Sequence, residues 1–215
     1  MTVLTPIHKI YLHSGSNITI PDLSWQEFED ILEELGEKRN VRLAFSQNCL
    51  KIVSPSPEHK RAKIVISDLV KIILRVQRRA WEALGSTTFK KKTMQAGIEP
   101  DECFYIQNYR AVIGKDRIDL DRDPPPDLAI ESDITSLTEI TAYESLGIPE
   151  VWVYGKNKLI IYTLQGKEYQ KSDFSPNFPT LKIEEIILKV LQRAKIIGSS
   201  LALQEFEDNL RDISQ

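Results

Sequence analysis

Carboxylates at the ends of two predicted strands are the residues of this sequence best suited to chemistry. Asp101 directly precedes a predicted strand near 102–107, whereas Asp127 and Glu131 begin and end a second strand. Since side chains alternate along a strand, we expect Asp127 and Glu131 on one face, with the small Ala129 between them. If the two strands pair, Asp101 approaches Glu131 as well. Such a cluster of hard oxygen ligands suits Mg²⁺ or Mn²⁺, and a divalent ion held there would activate water for phosphodiester hydrolysis.

Glu131 is the most informative of these acids. It stands within an apolar strand, and an acid there is costly to bury without a partner or an ion. The aspartates are weaker signals, because a Pro-Asp pair is also an ordinary entry to a strand. Each pair taken alone is therefore compatible with a metal site or with a structural role.

Basic residues near these strands are candidate contacts for a substrate phosphate. His59 lies in the first turn of a long predicted helix, whose positive end favours anions. The run Lys90, Lys91 and Lys92 is placed where a phosphate backbone could lie. A solvated first-turn histidine and a solvated strand edge are the alternatives, and the sequence leaves them open.

Composition and charge exclude several classes of protein. The 215 residues are 41% hydrophobic and 27% charged, which is typical of a folded domain rather than of a disordered chain. The formal net charge of -3 argues against a sequence-independent nucleic-acid coat, which is normally strongly basic. No apolar run approaches the roughly 20 residues of a membrane-spanning helix, and the first residues do not resemble a signal peptide. With only Cys49 and Cys103, the sequence predicts a cytoplasmic protein without a disulfide framework.

The elements that must position these acids are predicted from capping signals and hydrophobic periodicity. Ser56 and Pro57 mark the start of a long helix, and capping boxes begin two shorter ones. Helices are predicted near 25–35, 57–84, 136–146, 183–197 and 201–213, and strands near 17–20, 41–45, 50–53, 87–95, 102–107, 127–131, 151–154, 159–162 and 167–170. This order predicts an α/β (α+β) fold, with a central mixed β-sheet flanked by helices. We expect a single domain over residues 1–215, with C-terminal helices from about 182.

Two segments of the chain resemble a known family. Residues 125–131 (Pro-Pro-Asp-Leu-Ala-Ile-Glu) and 143–154 (Tyr-Glu-Ser-Leu-Gly-Ile-Pro-Glu-Val-Trp-Val-Tyr) are similar to the Uma2 family, also called DUF820, of the restriction-endonuclease-like PD-(D/E)XK superfamily. The strand entry at Asp101 fits the family too, and the similarity extends from Ser54 to Tyr162. A long ordered match of this kind is more specific than any single motif.

The resemblance implies a restriction-endonuclease-like fold and cleavage of DNA that depends on Mg²⁺ or Mn²⁺. Asp101 would be the acid of the first motif and Glu131 the acid of the second. Asp127 would be a further oxygen donor, and Glu58 of the long helix is a candidate to complete the site. A homodimer is expected, because nucleases of this fold often cut duplexes as two-fold pairs.

The lysine of the superfamily's motif is missing from both places where it is expected. Asp133 stands two residues past the second acid, and Glu139 stands at the helix position from which many family members supply the lysine. Lys63 or a lysine of the 90–92 run is then the candidate replacement. Two functions stay open: a metal-dependent endonuclease, and a catalytically degenerate nuclease fold that serves as a binding or assembly module.

Overall fold

The computed structural model describes residues 6–36, 39–132 and 137–213, except for the side chains of 57–60, 137–138 and 213. Within this part of the chain lie five α-helices and eleven β-strands. The helices are α1 (Trp25–Leu35), α2 (Pro57–Val76), α3 (Leu137–Leu146), α4 (Ile183–Ile197) and α5 (Ser199–Ile213). The strands are β1 (Asn17–Ile20), β2 (Arg42–Ser46), β3 (Cys49–Val53), β4 (Glu82–Ala83), β5 (Phe89–Lys91), β6 (Ala96–Ile98), β7 (Glu102–Tyr105), β8 (Leu128–Ser132), β9 (Glu150–Gly155), β10 (Lys158–Gln165) and β11 (Glu168–Ser172). Among the described helices, none is both long and apolar enough to cross a membrane.

The larger of two sheets is mixed, as predicted from the sequence. Its strand order is β11-β10-β9-β8-β7-β4, in which β8 and β9 run parallel and the other neighbours are antiparallel. Parallel neighbours need a crossover connection, and α3 lies in the one between β8 and β9. Strand β8 is therefore an interior strand, and all five of its residues are buried.

A second, antiparallel sheet forms from strands in the first half of the chain. Its order is β1-β3-β2-β6-β5. Helix α1 covers it, and Phe28 stacks on Phe45 with ring centroids 4.6 Å apart. Gly97 is needed beneath this helix, because a Cβ atom there would lie 2.8 Å from the Phe28 ring. The sequence predicted the strands near 41–45 and 50–53 but not the separation of these strands from the mixed sheet.

Helix α3 joins the two sheets. It contacts β2, β3 and β6 of the antiparallel sheet, and it follows β8 of the mixed sheet. Tyr143 of α3 is fully buried in one core cluster together with Ala44 of β2 and Ala129 of β8. Helix α2 packs on β8 and against α4 and α5, and the three helices share a second core cluster with the mixed sheet. The end of β8 is thus enclosed by elements of both sheets.

Helix α2 is shorter than its apolar periodicity predicts. It ends at Val76 rather than near residue 84, and Arg78 follows in the left-handed conformation with φ 54°. Glu82 and Ala83 instead form β4, which pairs with β7. Backbone pairing with a distant strand therefore overrides a local helical pattern. The C-terminal helices and the strands of the 150–172 region lie close to their predicted positions.

Candidate active site between the two sheets

Asp101 and Glu131 face each other across neighbouring strands. In the antiparallel pair of β7 and β8, Glu102 is opposite Ile130, so Asp101 and Glu131 are the next pair in register. Opposite side chains in such a pair share a face and have Cβ atoms about 4.5–5.5 Å apart. The Ser132 N–H donates a 2.6 Å hydrogen bond to Asp101 Oδ2. Both acids are buried, with 4% and 7% of their surfaces exposed, and the structure brings them together as strand pairing predicts.

Arg42 lies beside this acid pair, and sequence reasoning did not single it out. It begins β2 of the antiparallel sheet, and its guanidinium forms an ion pair with Asp101 Oδ1. Burial lowers the pKa of Arg42, while the negative charge of Glu131 acts in the opposite direction. Arginine nevertheless stays protonated in proteins, so Arg42 compensates part of the buried negative charge. No local sequence signal marks it, because its partner is far away in the chain.

Glu131 is predominantly protonated at neutral pH. Burial is the main reason that the pKa of Glu131 is raised to about 8, and the charge of Glu139 raises it further. The Tyr143 hydroxyl, which donates to Glu131 Oε1, and the positive charges of Arg42 and Lys63 act in the opposite direction. A strongly perturbed carboxyl in a cleft is a common property of functional sites.

A buried ion pair occupies the helix position at which the resemblance expects a lysine. Glu139 of α3 binds Lys51 of β3, with 2.7 Å between Oε2 and Nζ. Only 1% of Lys51 is exposed, so its charge is compensated inside the protein. The acid at Glu139 is therefore matched by a base from another element. Asp133, the second position where a lysine is expected, lies outside the described residues.

Lys63 is the proposed replacement lysine that the structure places near the acid pair. It projects from α2, and its Nζ lies 3.4 Å from Ser86 Oγ, which donates a 3.2 Å hydrogen bond to the Asp101 carbonyl. Burial and the charge of Arg42 lower the pKa of Lys63, whereas the charges of Glu102 and Glu131 raise it. A half-buried ammonium group thus stands beside the acids of β7 and β8.

The other predicted phosphate contacts do not converge on these acids within the described part of the chain. Lys90 binds Glu29 of α1 at 2.6 Å, and the 90–92 run lies at the edge strand β5 and the turn after it. His59 and Glu58 are located in the first turn of α2, but their side chains lie outside the described atoms.

Asp127 has a structural role that differs from the predicted one. Its Oδ2 accepts hydrogen bonds from the backbone N–H groups of Ile106, Gln107 and Asn108, at 2.6, 2.9 and 3.1 Å, and Oδ1 accepts one from the Asn108 amide. Four residues of extended strand, at about 3.3 Å each, place the Cα atoms of Asp127 and Glu131 about 13 Å apart, which is too far for one ion to bind both carboxylates. The expectation of Asp127 as a third oxygen donor is therefore corrected: its carboxylate holds the turn after β7.

A small cleft of about 70 Å³ leads to the acid pair. Asp101, Glu131 and Arg42 line it together with residues of β2 and β3. Arg42 also lines a groove of about 1,100 Å³, which runs between α1 and the segments 86–88 and 116–118. The groove carries charged side chains of both signs, and Arg42 lies at its junction with the cleft.

The acid pair fits a divalent ion that is held by few protein ligands. The described residues contain no group of three or more His, Cys, Asp or Glu side chains that could hold a metal ion. Mg²⁺, however, is usually bound through one or two carboxylates, with water and substrate phosphates as its other ligands. Asp101 and Glu131 at a cleft match that requirement, whereas a closed metal cage does not fit these residues.

Comparison with known proteins assigns the chain to a class and then to a family. A family profile described as "Putative restriction endonuclease" matches residues 25–196, which include the acid pair and most of both sheets. This match supports assignment of the chain to the nuclease class. This chain belongs to that family, Uma2, which confirms the resemblance of its motifs. A crystal structure titled as a putative nuclease belonging to DUF820, from Anabaena variabilis ATCC 29413, matches with 18% identity and a TM-score of 0.48. The match covers 77% of this chain and 97% of the other, and none of the curated proteins matches.

Proposed function

We propose that this protein is a metal-dependent nuclease that hydrolyses phosphodiester bonds of DNA, with Asp101 and Glu131 as ligands of Mg²⁺ or Mn²⁺. The observation that carries the proposal is the position of these two acids: Asp101 directly precedes β7 and lies opposite Glu131 of β8, at a cleft that adjoins a larger groove. Membership of the Uma2 family supports the nuclease class.

Each group at the site has a distinct task in this proposal. A bound divalent ion would lower the pKa of a water molecule and neutralise charge on the phosphate. The Ser132 amide orients Asp101, and the Tyr143 hydroxyl orients Glu131, which must release its proton to become a ligand. Lys63 is placed to stabilise negative charge beside the acids, in the role for which Asp133 and Glu139 are unsuited.

A catalytically degenerate binding or assembly module is the second candidate, and specific contacts favour it. Arg42 pairs with Asp101, and Lys51 pairs with Glu139, so two cations of the protein already compensate acids at the cleft. In that case the fold would be retained while the protein no longer turned over a substrate.

Incubation with nucleic acid in the presence of a metal ion separates these functions. Supercoiled plasmid and single-stranded DNA are treated with the wild type, Asp101→Asn and Glu131→Gln in Mg²⁺ or Mn²⁺, with the exposed substitution Glu168→Gln as a matched control. We expect nicking by the wild type and the control, and a loss of about a hundredfold or more in both site variants. No cleavage by a wild type that still binds the ion would support the degenerate module, and cleavage that persists in both site variants would refute the site.

The homodimer and the cytoplasmic location stay predictions from the sequence. Sedimentation equilibrium of the purified chain tests the first, since a mass near 24.6 kDa would indicate a monomer. Imaging of the tagged protein in its native host tests the second.

A further inference from the structure

Arg42 is paired with one of the two carboxylate oxygens of Asp101. Asp101 Oδ2 already accepts the hydrogen bond from the Ser132 amide, and Oδ1 is paired with the Arg42 guanidinium. The Ser132 amide belongs to the backbone of β8 and cannot move without disturbing the sheet. An ion that binds Asp101 through Oδ1 therefore competes with the guanidinium for that oxygen.

We propose that Arg42 is a positioning residue of the acid pair: it serves as the internal counter-ion of Asp101 and Glu131, and a divalent cation must compete with it. The inference rests on the proposed metal site. It adds that, in the metal-free protein, the Arg42 guanidinium is already paired with a carboxylate of this site.

Charge and space both support this competition. Asp101 and, once it is ionised, Glu131 are buried acids on adjacent strands, and the Arg42 guanidinium supplies positive charge that compensates them in the metal-free protein. A divalent ion that binds the same carboxylates lies close to the positive charge of Arg42, and the repulsion between the two cations weakens its binding. Arg42 also lines the 1,100 Å³ groove, so its side chain has open space on the side away from the acids. Arginine binds phosphate through two parallel hydrogen bonds, which suits a displaced guanidinium to a nucleic-acid phosphate in that groove.

Titration calorimetry with Mg²⁺ tests the inference without an activity assay. The measurement is made at a pH of about 8.5, so that Glu131 is largely ionised in the wild type. Arg42→Met keeps much of the alkyl chain and removes the charge, Arg42→Lys keeps a positive charge, and Lys90→Gln removes a positive charge elsewhere on the groove. We expect Arg42→Met to bind Mg²⁺ about tenfold more tightly or better, and Arg42→Lys and Lys90→Gln to stay within about threefold of the wild type.

The outcomes distinguish the inference from the proposed function. If Arg42→Met matches the wild type while Asp101→Asn abolishes binding, the metal site stands and the role of Arg42 is refuted. If neither the wild type nor a folded Arg42→Met protein binds Mg²⁺, both proposals fail. A ¹⁵N spectrum of the wild type keeps the test independent of the variant's folding: Mg²⁺ should shift the Arg42 Nε–H resonance, and an unmoved resonance at saturation would overturn the inference.

Discussion

Replacing Glu131 with glutamine should make the metal-free protein more stable, and increasingly so as the pH rises. Glutamine has the shape of the protonated acid, and the Tyr143 hydroxyl can donate to its amide oxygen as it does to Glu131. Between pH 4.5 and about 8, the folded wild type keeps the Glu131 proton that the unfolded chain has released. The folded state then binds more protons than the unfolded state, so the free energy of unfolding falls as the pH rises. The Glu131→Gln variant has no ionisable group at this position, so its free energy of unfolding lacks this dependence on pH.

The size of the effect follows from the shift in the pKa of Glu131. The pKa rises from the usual 4.5 to about 8, a difference of about 3.5 units. At about 1.36 kcal/mol per unit, the wild type loses about 5 kcal/mol relative to Glu131→Gln across this range. Urea denaturation of both proteins at several pH values between about 5 and 9 measures the difference. We expect it to grow by about 1.4 kcal/mol per pH unit and to level off above about pH 8.

Substitution of an exposed glutamate provides the control for this measurement. Glu168 lies on the edge strand β11 and is exposed, so Glu168→Gln should follow the wild type at every pH. A difference between Glu131→Gln and the wild type that stays constant from pH 5 to 8 would refute the reasoning. It would mean that Glu131 is ionised in the folded protein despite its burial.

Three further substitutions test the roles of other charged residues. Asp127→Ala should lower the free energy of unfolding by about 3 kcal/mol, because it leaves the N–H groups of a turn without acceptors, and denaturation by urea measures this loss. Lys51→Met should lower the free energy of unfolding by about 3–5 kcal/mol, because it leaves the Glu139 charge buried without its partner. The double variant Lys51→Met with Glu139→Leu should recover most of this loss. Thermal unfolding at the same temperature in the single and the double variant would contradict this reasoning. Lys63→Met should slow plasmid nicking about tenfold or more with KM little changed, whereas Lys90→Met should leave the rate within about twofold, and equal rates in the two variants would remove Lys63 from the site.

Local signals in the sequence were sufficient for most of the elements. The serine and glutamate of a capping box begin α1 as predicted, and the hydrogen bonds between Ser24 and Glu27 are both present. The strands around β9 and β10 and the helices α4 and α5 follow their apolar periodicity closely. The predicted end of α2 was wrong because Glu82 and Ala83 pair with β7, and hydrophobic periodicity does not reveal such a long-range interaction. The division into two sheets was missed for the same reason.

The sequence by itself identified the family and the two acids that share one face, since both are encoded in short continuous segments around β7 and β8. It could not show that Asp127 and Glu131 have different roles, because alternation along a strand predicts the face on which a side chain lies but not the groups that the side chain contacts. Only the tertiary structure decided which cations accompany the acids. Arg42 and Lys51 come from the antiparallel sheet and Lys63 from α2, so their charges meet the acids only when distant segments pack. Burial, which raises the pKa of Glu131, is likewise a property of that packing and not of any segment of the chain.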